Sequence, residues 1–230
     1  MATASHPSSP QTQLPFKYLG GDASLDLVNT VDWTPRGLAN ERVTSYERLT
    51  RWAEGARLVP SSDAERLRTA ARSRPGEARI AVTRARRLRS VLQRLYAGLA
   101  GGALEASGWD DFNAELAEAL KHLAVERRRS ERKRALRPDW TWRVPEGRLD
   151  AFLWPVVWSA ARLLTSDEAD QIRVCGGPDC GWIYVDRSRN GQRRWCAMET
   201  CGTAEKTRRR RERHRRRAPR LARQQTTSSA

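Results

Sequence analysis

The chain's four cysteines fall in one short stretch, as Cys175 and Cys180 followed by Cys196 and Cys201. Each pair reads C-x4-C, and fifteen residues separate the pairs. Two thiolate pairs, each presented from a tight turn and folded together by the loop between them, are what a tetrahedral Zn2+ requires. Two disulfides or four unrelated thiols are the alternatives. The closer ferredoxin spacings of an iron–sulfur cluster are not matched. Both pairs end in Cys-Gly, as Cys180-Gly181 and Cys201-Gly202. A glycine there is expected to take φ > 0 and let backbone N–H groups point at the sulfurs.

The second chemistry-bearing set is cationic. The 230 residues carry 43 Lys+Arg against 27 Asp+Glu, a net charge of +16. From Cys175 to Arg223 there are fifteen basic and five acidic residues, so the excess concentrates on the cysteine module and its tail. Such a distribution favours a polyanionic partner. Arg193 and Arg194 can offset the −2 charge of a four-thiolate zinc site, or face phosphate. Beyond Cys201, Thr203 could N-cap a helix with Glu205 in its first turn. That helix runs through Lys206, Arg208, Arg209, Arg210, Arg211 and Arg213 and has no apolar face to bury. It is expected to fray when free and to be ordered by a phosphate backbone. These eight basic residues are the candidate nucleic-acid contacts, with DNA as partner and RNA as the alternative. An enzyme is not expected. Four cysteines close a zinc coordination sphere, and His6, His122 and His214 stand beside no cysteine or Gly-flanked serine.

The elements that position these residues read as mainly α. A helical domain over 15–170 precedes a small four-cysteine zinc module with a basic helix over 171–217, between a disordered leader (1–14) and a disordered tail (218–230). Ser24 is a candidate cap for a short apolar helix, Leu25 to Trp33. Thr44-x-x-Glu47 and Ser62-x-x-Glu65 have capping-box form. Pro75-Gly76 breaks a helix. Ile80, Leu88, Val91, Leu92, Leu95 and Leu99 mark a longer one, ending at Gly101-Gly102, and Trp109 to Leu123 another. A basic run, Arg127 to Arg137, is interrupted by Glu131. Asp139 to Val144 alternates like a short strand, and Leu149 to Leu164 is an apolar helix with Pro155 in its first turn. Between the cysteine pairs, Gly181 to Asp186 alternates, Asn190-Gly191 is a hairpin-turn dipeptide, and Gln192 to Trp195 returns, so a β-hairpin is expected between the two metal turns. Trp182 and Trp195 should pack over the metal. No apolar run is long enough to span a membrane. The N-terminus lacks a secretory pattern, which points to the cytoplasm and reduced thiols.

The string Cys180-Gly-Trp-Ile-Tyr-Val-Asp-Arg-Ser-Arg-Asn-Gly-Gln-Arg-Arg-Trp-Cys-Ala-Met-Glu-Thr-Cys201 resembles the CGNR-type zinc finger of bacterial proteins. Leu25-Asp-Leu-Val-Asn-Thr-Val-Asp-Trp33, with Tyr46-x-x-Leu49-x-x-Trp52, is similar to the ABATE domain that usually precedes it. The resemblance implies an α-helical, stress-induced transcription regulator whose zinc ligands are Cys175, Cys180, Cys196 and Cys201 and whose finger binds DNA. The helical domain would then sense a signal, bind a partner or form a homodimer; no effector is implied. Where the family has Cys-Gly-Asn-Arg, this chain has Cys201-Gly202-Thr203-Ala204. Thr can replace Asn as a cap, whereas the arginine's role is lost or moved to Lys206 and Arg208.

Overall fold

A computed structural model describes residues 14–102, 108–129 and 136–226. The expected leader up to residue 13, Glu131 in the basic run, and the last four residues of the expected tail lie outside the described residues. The helices are α1 (Ala23–Val28), α2 (Tyr46–Gly55), α3 (Ser61–Ser73), α4 (Pro75–Gly101), α5 (Trp109–Leu120), α6 (Leu153–Leu164) and α7 (Thr203–Thr226). Three antiparallel hairpins are interspersed: β1 (Asp32–Thr34) with β2 (Gly37–Ala39), β3 (Leu123–Arg129) with β4 (Leu136–Trp142), and β5 (Ile172–Val174) with β6 (Ile183–Val185). No described helix is long and apolar enough to cross a membrane.

Pro75 opens α4 at a position where its missing N–H costs nothing, and Gly102, at φ 71°, closes it. The helix is 27 residues long, about 40 Å at 1.5 Å per residue, and forms the spine of the core. Its buried stripe is Ala78, Ala81, Val82, Ala85, Leu88, Val91, Leu92 and Leu95. Ile80, expected on that face, lies one residue off it and is exposed. Alanines fill the first turns of the stripe and let neighbouring helices approach closely. Leu25, Leu27 and Val28 of α1, Leu49, Trp52 and Ala53 of α2, and Leu153, Val156, Val157 and Ala160 of α6 complete the core. Arg89 is buried on the same spine and is neutralised by a two-pronged bond to Glu41, at 2.8 and 2.5 Å.

The helix starts differ from the expected caps by one or two residues. Asp22, not Ser24, caps α1 by accepting from the Ser24 amide, and it also accepts from the Ser159 hydroxyl on α6. Ser45, not Thr44, caps α2 through the Arg48 amide. In both cases the capping residue is extended, as a cap requires, and Ser24 lies inside the helix with its hydroxyl on Asp22 and Tyr96. The helix expected over Leu25–Trp33 stops at Val28, because Asp32 to Thr34 pair with β2. α7 runs on to Thr226, through the stretch expected to be a disordered tail from residue 218.

Asp26, on α1, accepts from the Gly20 amide at 2.8 Å, yet burial raises its carboxyl to about 6. A carboxyl that holds its proton more tightly folded than unfolded supports folding at low pH, and that support is lost as pH climbs from about 4 to above 6. Asp26→Asn keeps the acceptor and carries no charge. It is expected to stabilise the chain at pH 7 by on the order of 1–2 kcal/mol, with the gain shrinking toward pH 4. Denaturant midpoints of parent and variant across that range check this; a gain that does not vary with pH would contradict it.

Candidate metal centre and nucleic-acid interface

The four cysteine sulfurs lie within 4.8 Å of one another, with Cys175 and Cys196 buried and Cys180 and Cys201 half-buried. Four thiolates at 2.3 Å from one Zn2+ stand about 3.8 Å apart at the corners of a tetrahedron. The Cys180–Cys196 and Cys196–Cys201 sulfurs are 3.8 and 3.6 Å apart, and none is in a disulfide. The four residues are thus positioned to bind one metal ion, and the donor set suits Zn2+. The Cys196 amide donates to the Cys175 sulfur at 3.2 Å. Hydrogen bonds from the Cys180 and Cys196 thiols hold the Cys175 thiol far below its ordinary range, while the same contacts push Cys180 and Cys196 up. A divalent cation would let all four ionise together.

The two glycines act differently from expectation. Neither Gly181 nor Gly202 has positive φ. Gly181 is needed for room, because backbone stands against it, whereas the nearest neighbour of Gly202 is the movable, exposed Met198 side chain. A Cβ on Gly181 would stand 2.2 Å from the Trp33 carbonyl oxygen, and one on Gly202 would stand 2.3 Å from the Met198 sulfur. Gly181 therefore marks the place where the metal module presses on β1 of the helical body.

The hairpin of the module is β5–β6, which flanks the first cysteine pair, and not the one expected between the pairs. After Val185 the chain wraps around a carboxylate instead of returning as a strand. Asp186 accepts from the Ser188 amide (3.0 Å), the Ser188 hydroxyl (2.6 Å) and the Arg193 amide (2.8 Å). Asn190-Gly191 does turn, with Gly191 at φ 61°, but inside this loop. Asp186 and Tyr184 were not singled out from sequence. An acid two residues before a serine is a local turn signature that points to Asp186.

Trp182 and Trp195 both pack with the cysteines, as expected, in a cluster that also holds Tyr184 and Leu19. Trp182 additionally donates to Asp32 at 2.9 Å and lies under the Arg42 guanidinium. Arg193 turns inward. It donates to the carbonyls of Trp195, Cys196 and Leu19 at 3.1, 2.5 and 3.2 Å, over the Tyr184 ring. Arg194 is exposed and stacks at 5.2 Å on Trp195. Arg194, Trp195 and Met198 line one side of an open groove of about 530 Å³ beside the cysteines.

A wide turn, Met198–Gly202, carries the chain from the last cysteines into α7. The Thr203 hydroxyl donates back to the Met198 carbonyl at 3.0 Å, so it ties this turn rather than capping the helix. Glu205 is buried in the first turn of α7 and held at about 2 by hydrogen bonds from Arg208 and Arg209. Arg208 also reaches Glu212 at 2.9 Å. Lys206, Arg210, Arg211 and Arg213 are exposed and form no ion pair among the described residues, since Glu205 and Glu212 are taken by Arg208 and Arg209. Ala204, where the finger family has arginine, is exposed.

The module is fused to the helical body. Ile172, Ile183 and Val185 belong to the same hydrophobic core as α1, α4 and α6. The Asn29 side chain donates to the Ile183 carbonyl (2.8 Å) and accepts from the Ile183 amide (2.9 Å), and the Val185 amide donates to Gly20 (2.9 Å). Arg187 bonds Glu168 and the Gly21 carbonyl. The expected boundary at 170/171 is therefore crossed by core packing and by paired backbone.

Residues 21–167 match the ABATE family, described as "Putative stress-induced transcription regulator", and residues 171–214 match the CGNR zinc finger. Neither is an enzyme family. No curated protein matches the chain.

Proposed function

Because the chain belongs to the ABATE family and carries a CGNR zinc finger behind it, we propose that it is a zinc-dependent DNA-binding transcription regulator. Cys175, Cys180, Cys196 and Cys201 would hold Zn2+, which supplies a structural clamp and, with four thiolates, no open position for catalysis. The observation that carries the reading is the exit of α7 directly from the cysteine cluster. Its buried acid is at the base, and its Lys206, Arg210, Arg211 and Arg213 are exposed among the described residues. Arg194, on the rim of the neighbouring groove, extends that surface. Arg193 contributes by shaping the loop. The helical body, fused to the finger through α1, would pass on a signal. It holds an open cleft of about 640 Å³, lined by Leu58, Leu67, Trp142 and Phe152 with Arg74 and Arg148, where a small effector would fit.

Phosphate contacts release counterions, and each adds about 0.9 to the slope of log K against log salt on duplex DNA. Replacing Lys206, Arg210, Arg211 and Arg213 together by alanine is expected to lower that slope by roughly 2–3, equally on two unrelated duplexes, since phosphates carry no sequence information. Arg208 and Arg209 are left in place because they hold Glu205. An unchanged slope would remove α7 from the interface. Tighter binding of structured RNA than of duplex DNA would replace the DNA reading with an RNA-binding one.

A further inference from the structure

We infer that the β3–β4 ribbon is a second duplex-contacting arm, with Arg127, Arg128 and Arg137 on phosphates. The inference rests on the DNA-binding reading above and adds an element from the helical body to it. β3 and β4 pair over seven residues each, about 23 Å of ribbon at roughly 3.3 Å per residue. The base is held firmly. Trp142 packs at 6.2 Å on Trp154, Trp140 leans on Trp158, and the Arg143 amide donates to the His122 carbonyl at 2.8 Å. His122 itself is stacked on Trp154 at 4.0 Å. Farther along, the ribbon has no covering element among the described residues. Val125 and Leu136 are more than half exposed, and so is Trp140 despite its contact with Trp158.

Register decides what the outer part presents. Residues directly opposite share a face, so Arg128 and Arg137 stand side by side, as do Arg127 and Pro138 on the other face. Two like charges directly opposite weaken a strand pair. Among the described residues neither forms an ion pair; of the acids on their face, Glu126 is taken by Arg143 and Asp139 accepts from the Trp140 amide. Most buried and half-buried arginines of the helical body are paired instead, whereas exposed ones such as Arg57 and Arg79 form no ion pair among the described residues. Arg42, Arg68, Arg84, Arg89 and Arg148 each reach a carboxylate. A repulsive pair on a rigid, projecting ribbon becomes favourable when an anion lies between its members. A two-stranded ribbon is also one of the two protein shapes that the major groove, about 12 Å wide, admits. Exposed Trp140 and Val125 lie on the face of Arg127 and Pro138, where they add apolar surface for sugar or base edges.

The test uses the full zinc-loaded chain on two unrelated duplexes in a salt titration. Arg127→Ala, Arg128→Ala and Arg137→Ala combined should lower the slope by roughly 2–3, as loss of that many phosphate contacts requires. The same three positions changed to lysine should keep the parent slope, since phosphate needs only the charge. A control that removes three exposed arginines of α3 and α4 (Arg66, Arg72 and Arg79, each to Ala) should leave it unchanged. An alanine variant with the parent slope overturns the arm while the α7 result stands or falls separately. So does a control that drops as far, which would mean net charge alone. If the alanine variant keeps its slope but aggregates, the arm is overturned and the arginines protect an open strand edge. If Trp140→Lys converts a dimer to a monomer without changing the slope, the ribbon joins two copies instead. A parent chain that binds no duplex overturns the arm and the DNA reading together.

Discussion

Removing the metal, or replacing any one of Cys175, Cys180, Cys196 and Cys201 by serine, is expected to destabilise the whole chain and not just the finger. The freshly purified, reduced protein should carry about one zinc per chain. A structural Zn2+ supplies about 10–16 kcal/mol to finger peptides that have little other core. Here the loss should spread. Ile172, Ile183 and Val185 are held in place by the strands that flank Cys175 and Cys180, and they close the core of α1, α4 and α6. Exposing three such side chains costs about 1.5–3 kcal/mol each. That sum is a large part of the roughly 5–15 kcal/mol that holds a typical domain together. The expected result is a fall in melting temperature of roughly 10–20 °C for the helical signal, coincident with metal release. Following far-UV circular dichroism and zinc release on one sample checks it. A helical transition that stays in place after the zinc has gone would show that the body ignores its finger. For the same reason a fragment ending at residue 170 should be less stable than the body within the full chain.

The site was legible from sequence because its chemistry is compositional. Four cysteines in two C-x4-C turns, and an arginine run with nothing to bury, can each be read without knowing the fold. Long helices were legible too, since Pro75 and Gly102 punctuate α4 and its apolar stripe repeats at helical spacing. Three things were not. The hairpin went to the wrong pair of segments because Asn190-Gly191 is a strong local turn signal, while the actual pairing is decided by burial of Ile172 against Ile183 and Val185, which no local dipeptide encodes. The repetition of the Cys-Gly step suggested backbone freedom, whereas Gly181 is needed because Trp33, far away in sequence, presses on it. Arg193 and Arg194 are chemically identical neighbours, and only the position of three carbonyls sends one inward and leaves the other out. The hairpin and Gly181 turn on contacts between segments distant in sequence, and Arg193 on a turn that brings the Trp195 and Cys196 carbonyls together with the distant Leu19; none of these leaves a periodic trace.

Asn29 is the residue on which the joint between finger and body depends most, and replacing it should have the second-largest effect. β6 has β5 on one side; on the other, the backbone N–H and C=O of Ile183 point at α1. Asn29 meets them with its own amide, as a peptide of a neighbouring strand would, and the Gly20 carbonyl accepts from the Val185 amide. Asn29 is fully buried, so no water can take its place. Asn29→Ala leaves a buried donor and a buried acceptor unpaired, at about 1–3 kcal/mol each, for an expected loss of roughly 3–4 kcal/mol. Asn29→Asp keeps the acceptor but turns the donor into a second acceptor that faces a carbonyl. It should be worse than alanine at neutral pH and recover as pH falls, because a protonated carboxyl can donate again. Denaturant midpoints of the three proteins across pH separate these cases. The zinc content of the variants should stay near that of the parent, since Asn29 touches no cysteine, so any loss reports the joint and not the metal site. An alanine variant within about 1 kcal/mol of the parent would mean that this pairing contributes no more than an ordinary hydrogen bond, and that finger and body are joined by the apolar core alone.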